Sequence, residues 1–145
     1  MGSTTFSGPV TSLNGFVGDL DGTGVTTHAT KAAINATGTA TAAQVATGYI
    51  TSTSAAATTI TLPTGTLLGV ALGATQGTVH ELYIDNTAGA NTVTMAVAVN
   101  GILSTAAADS ATSFGDLTVA AGVTGLARYT LMFSSATAYV FTRTA

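Results

Sequence analysis

Titratable side chains are scarce in this 145-residue sequence: three Lys or Arg, six Asp or Glu, two His and no cysteine. Proton-transfer or nucleophilic catalysis needs several such groups converging on one point. The one local cluster is His80, Glu81 and Asp85. It falls in a stretch from Val79 to Asp85 whose β-branched and aromatic content predicts a strand, and adjacent side chains on a strand point to opposite faces. His80 and Glu81 are therefore not expected to share a site, and the chain is expected not to be an enzyme.

The remaining candidates are weaker. Asp19-Leu-Asp21-Gly22 begins like a calcium loop, but that spacing requires a third ligand before the glycine and a glutamate at position twelve, where Thr30 stands. It reads as a solvated acidic turn, and no metal site is expected. Gly18 to Gly24 has neither GxGxxG spacing nor a Walker lysine, and no strong helix follows, so a phosphate cradle is not supported. Asn35-Ala-Thr37 fits a glycosylation sequon but lies in a Thr-rich chain without the features of a secretory signal, and it is assigned no role. His28 has no acid near it in sequence and is expected to be exposed or locally hydrogen-bonded. No cofactor is expected.

Composition excludes further classes. Without cysteine there are no disulfides, thiolate nucleophiles or thiolate-ligated metals. Three basic residues, Lys31, Arg128 and Arg143, cannot line a nucleic-acid backbone, so nucleic acid is not an expected partner. No apolar run approaches the roughly 18 residues of a membrane span. The N-terminus has no basic start followed by an apolar stretch, so the chain is expected to fold where it is made.

The elements that would position any site are built from small residues. The sequence has 31 Thr, 27 Ala and 17 Gly, which is over half of it. Charged residues are 6% against roughly 25% in an ordinary soluble domain, and mean hydropathy is +0.51. So few charges leave little repulsion between copies, which suits a dense assembly.

Residues 1–45 are Gly-rich and aperiodic and are expected to form an extended N-terminal arm, with at most one helical turn from Lys31 to Ala36. From Thr47 onward, β-branched and aromatic runs alternate with small-residue turns. Strands are expected at Tyr49 to Thr53, Thr58 to Leu62, Leu67 to Leu72, Val79 to Asp85, Thr92 to Val99, Leu117 to Ala120, Ala127 to Ser134 and Thr137 to Thr142. In the fifth, Val93, Met95, Val97 and Val99 share the expected core face. Tyr49 to Leu62 and Tyr129 to Thr142 both read as hairpins, and Asp85 to Asn91 as a further turn. The expected fold is all-β: an antiparallel β-sandwich or jelly-roll-like domain over residues 46–145, preceded by the arm.

The opening Phe6-Ser-Gly-Pro-Val-Thr-Ser-Leu-Asn-Gly-Phe16 resembles openings of small virion proteins of tailed bacteriophages. Asp85-Asn-Thr-Ala-Gly-Ala-Asn-Thr-Val-Thr94 and Arg128-Tyr-Thr-Leu-Met-Phe-Ser-Ser-Ala-Thr-Ala-Tyr139 are similar to the β-core of the same kind of protein. The resemblance implies a capsid decoration, or cement, protein: a homotrimer made in the bacterial host cytoplasm, which binds the major capsid protein at capsomer junctions on the virion surface. Phe6, Pro9, Val10, Leu13 and Phe16 are the expected partner-binding residues, since apolar residues in a Gly-rich stretch with no core of its own need a surface to cover them. That surface is either a partner's or the chain's own sheet. The alternative function is a tail-fibre or receptor-binding module, although the chain has no Trp.

Overall fold

The computed structural model describes His28, residues 30–103 and residues 117–144. The elements in order are β1 (Ala32–Ala33), β2 (Gly38–Thr39), α1 (Ala42–Ala46), β3 (Tyr49–Thr51), β4 (Thr58–Leu62), α2 (Gly65–Leu72), β5 (Val79–Asp85), β6 (Val93–Val97), β7 (Gly101–Leu103), β8 (Thr118–Val119), β9 (Leu126–Ser135) and β10 (Ala138–Arg143). A 3-10 turn covers Gly122–Thr124.

These strands form two sheets, one ordered β1-β3-β5-β9-β10-β7 and the other β2-β4-β6-β8. From β1 to β6 each strand leaves the sheet of its predecessor and pairs in parallel with the strand two before it. The chain therefore makes three passes through both sheets. Antiparallel pairing enters only where β9 closes on β5 and β10, and where β8 closes on β6. The all-β antiparallel sandwich or jelly-roll expectation is thus overturned: both sheets mix parallel and antiparallel pairs, and two helices carry connections between them.

The physical reason is visible at Tyr49 to Leu62. Ile50 is buried on one sheet, while Ile60 and Leu62 are buried on the other. Alternation specifies which side chains face the core but not which edge a strand pairs with, so two strands expected to form a hairpin instead face each other across it. The second expected hairpin is present: β9 and β10 pair antiparallel around the Ala136-Thr137 turn.

Leu67 to Leu72, expected as a strand, is helical. Thr64 caps α2 by accepting from the Leu67 N–H (3.4 Å), and Gly73 ends it at φ 59°. Gly65 and Gly69 lie one turn apart on its buried face. A methyl group at either would overlap a carbonyl oxygen of the β9–β10 turn, Thr137 O or Ala136 O. The two glycines thus let helix backbone touch hairpin backbone.

Residues 32–45 belong to the same core, through buried Ala32, Ala40 and Val45. The division expected between residues 45 and 46 therefore runs through the fold, and Lys31 to Ala36 carries β1 rather than a helical turn. Helix α1 starts at a reciprocal capping box: the Thr41 hydroxyl accepts from the Gln44 N–H (3.2 Å), and Gln44 Oε1 accepts from the Thr41 N–H (2.8 Å).

Four aromatics fill the largest share of the core: Tyr129, Phe133, Tyr139 and Phe141, each at most 1% exposed. Tyr129 and Phe141 stack with centroids 4.7 Å apart, and Phe133 tilts onto Tyr139 at 5.8 Å. The Tyr139 hydroxyl donates to Pro63 O (2.9 Å), tying the hairpin to the segment that enters α2. Burial pushes this phenol's pKa well above its ordinary value.

Candidate interaction surfaces

The register defines the outer face of the six-stranded sheet. Because Leu82, Ile84, Ala127, Tyr129, Leu131, Phe133, Tyr139 and Phe141 point inward, their alternate neighbours point out. One outward row crosses four strands, with Val79 opposite Met132, Met132 opposite Val140, and Val140 opposite Ile102. Two residues along come Glu81, Thr130 and Thr142, and beyond them Tyr49, Tyr83 and Arg128. The last row is Ala33, Thr51, Asp85 and Leu126.

The His80, Glu81 and Asp85 cluster is divided by this geometry. His80 points to the core side, where its Nε2–H donates to Val45 O of α1 (2.9 Å). Glu81 and Asp85 share the outer face but are separately engaged. Glu81 lies 3.8 Å from Arg128 in a half-exposed ion pair of little energetic weight. One oxygen of Asp85 accepts from the Tyr49 hydroxyl (2.6 Å), and the other accepts from the Thr87 hydroxyl (2.6 Å) and N–H (2.9 Å).

Those bonds hold the Asp85 carboxyl below its ordinary pKa of 3.8, the Thr87 hydroxyl contributing most and the Tyr49 phenol next. The same bond to Asp85 raises Tyr49 above its ordinary 10.0. Tyr49 and Thr87 were not anticipated from sequence, although the i, i+2 spacing of Glu81, Tyr83 and Asp85 already put those three on one face. His28 also lies at this face: its Nδ1–H donates to Thr47 O (3.0 Å) and its ring stands 5.5 Å from that of Tyr83. Asn35 Oδ1 accepts from the Thr53 N–H (2.8 Å) and Thr37 Oγ1 from the Thr59 N–H (3.1 Å), so both sequon residues brace neighbouring loops. Arg143 Nη1 donates to Thr118 O (3.0 Å), joining the two sheets.

The two ends of the strands differ. At the end where β5 and β6 meet through Asn86 to Thr92, the Asn86 side chain is buried and its Nδ2 lies within hydrogen-bonding distance of Asn91 O (2.9 Å), Ala120 O (2.9 Å) and Val119 O (3.2 Å). Its backbone N–H donates to Gly125 O (2.7 Å), and its carbonyl accepts from the Gly89 and Gly122 N–H groups (3.0 and 3.3 Å). Asn91 adds a bond from its Nδ2 to Ala55 O. The turn expected at Asp85 to Asn91 is present, and it is also the hub of this end.

The opposite end holds α2, the β6–β7 turn, the start of β5 and the β9–β10 turn. They are joined by bonds from the Gly65 N–H to Val99 O (3.1 Å), the Tyr139 N–H to Asn100 O (3.0 Å) and the Gly77 N–H to Phe133 O (2.8 Å). Residues 63–79, 97–103 and 132–142 contain no Asp, Glu, Lys or Arg. Eight large hydrophobics are exposed among the described residues, and six of them lie here: Leu67, Val70, Val79, Val99, Ile102 and Met132. Val70 is 80% exposed and Val99 72%.

The expected partner-binding residues Phe6, Pro9, Val10, Leu13 and Phe16, and the acidic turn at Asp19 and Asp21, lie outside the described residues. Among the described residues no group of His, Asp and Glu is arranged to hold a metal ion, and no helix is long and apolar enough to cross a membrane. The chain matches no family model, no curated protein and no solved structure.

Proposed function

We propose that the chain is a structural protein of a tailed-phage virion that acts as a capsid decoration or cement protein, binding the major capsid protein at capsomer junctions. The observation that carries this reading is that, among the described residues, an apolar end without charges is paired with Asp85, His28 and His80 already engaged by structural bonds. Such a surface adheres and does not turn over a substrate. Apolar burial yields roughly 25 cal/mol per Å² before association costs, so each copy binds modestly and many copies together brace a shell. Residues Phe6, Val10, Leu13 and Phe16 would add apolar contacts of the same kind.

A tail-fibre or receptor-binding role is the second reading. The aromatic group of Tyr49, Tyr83 and His28 beside Asp85 on the outer face favours it, since carbohydrate sites combine rings with polar groups. Copy number in purified virions separates the two: a decoration protein occurs in capsomer-scale numbers and a fibre tip in very few. Retention on undecorated capsids after sedimentation, compared for the full chain and a chain lacking residues 1–16, tests the attachment itself. Equal retention would remove the N-terminal segment from the mechanism, and no retention of either would overturn the decoration reading.

A further inference from the structure

We infer that the charge-free end of the strands is a self-association surface whose occupant is the same end of a second copy of this chain. Three observations support it, and none depends on the phage reading. The first is area. The six exposed side chains present on the order of 600 Å² of apolar surface, the upper end of what a typical monomer leaves in one patch and approaching the roughly 800 Å² that each partner of a standard interface contributes.

The second is arrangement. Leu67 and Val70 lie three residues apart on the outward side of α2, whose buried side is Gly65, Leu68 and Gly69. The helix therefore buries Leu68 and two glycines against its own core and leaves two further large apolar side chains in water on its other side. The row from Val79 through Met132 and half-buried Val140 to Ile102 continues apolar surface across four strands at the same end. The third is charge. Two identical ends meeting face to face bring together no like charges from their described residues, because residues 63–79, 97–103 and 132–142 carry none, and a copy of the chain is one partner whose facing segments are equally uncharged. Because the contact contains no ion pair, added salt leaves it intact.

The test is sedimentation velocity on the full-length chain across a roughly hundredfold dilution series, at low and high salt. The wild type should associate at both salt concentrations. Val70→Glu and Met132→Glu should each weaken association at least about tenfold, since every contact would then hold a desolvated carboxylate. Val123→Glu, a fully exposed position at the opposite end, should leave association unchanged. Thermal melting checks each fold, and if a Glu variant fails to fold, Val70→Ser and Met132→Gln take its place with the same expected direction. A wild type that is monomeric throughout would overturn the inference, as would unchanged association in the Val70 and Met132 variants. A chain that associates only after deletion of residues 1–27 would also overturn it, because that segment and not a second copy would then cover the surface.

Discussion

The two ends of the strands solve the same problem, closing a two-sheet core, by different means. At the Asn86 end the loops are fastened by polar bonds converging on one buried side chain, and the described surface beyond is made largely of Thr, Ser, Gly and Ala with only two large exposed hydrophobics, Val123 and Leu126. At the α2 end backbone bonds between segments are supplemented by direct contact, with glycine faces against a hairpin turn and a phenol donating to Pro63 O. What remains outside is apolar and uncharged. Asn86 Oδ1 itself is buried without a partner, but the loop groups bonded around it leave little for another molecule to gain, whereas apolar surface left in water stabilises whatever covers it. The comparison places internal cohesion at one end and external adhesion at the other.

The strongest way to break this comparison is Asn86→Asp. The substitution keeps the shape but sets a carboxylate oxygen against the carbonyls of Asn91, Val119 and Ala120 that the two Nδ2 hydrogens now serve, and should cost roughly 3–5 kcal/mol. Urea unfolding monitored by tyrosine fluorescence would read it, and a loss under about 1 kcal/mol would show that Asn86 is not the hub. Next is Gly69→Ala, which in an open helix would add up to about 1 kcal/mol. Here the new methyl meets Ala136 O, and the protein should lose about 1–3 kcal/mol instead, measured in the same way. Tyr139→Phe sharpens the account of the α2 end, because it removes the side-chain donor to Pro63 O at constant ring packing and should cost about 1–2 kcal/mol.

The smallest expected effect is electrostatic. Asp85 is more acidic folded than unfolded, so its ionised form contributes stability that is present above the ordinary value of 3.8 and lost as pH falls through the lower folded value. Asp85→Asn should therefore be less stable than wild type near neutral pH and converge with it in acid. Melting temperatures of the two proteins between about pH 7 and pH 2 would show parallel curves if the Thr87 and Tyr49 bonds carried no linkage.

The sequence revealed some of these features and concealed others, for physical reasons. The β-rich patterning located β4, β5 and β6, and alternation marked Val93 and Met95 as inward because burial on one side leaves an imprint on residue type, but Val99, expected on the same core face, lies beyond the end of β6 and is exposed. Pairing leaves no such imprint: Ile50 and Ile60 look alike whether their strands are neighbours or face each other. Helix α2 was not legible in the sequence: Leu67 to Leu72 is expected as a strand on its apolar content, and the capping by Thr64 and Gly73 and the close approach that requires Gly65 and Gly69 emerge only from the structure. The five-residue α1 carries only its Thr41 and Gln44 box as a signal. The apolar end could not be assembled from sequence because Leu67, Val79, Val99, Ile102 and Met132 converge only through the topology.

Amide hydrogen exchange of the full-length chain at high and low concentration tests the division most directly. If the account is right, exchange slows with concentration at residues 66–72 and at Val79, Val99, Ile102 and Met132, while Asn86 to Asn91 and Ala120 to Gly125 exchange at the same slow rate at both concentrations. Concentration-dependent protection at the Asn86 end, or none at the α2 end, would contradict it.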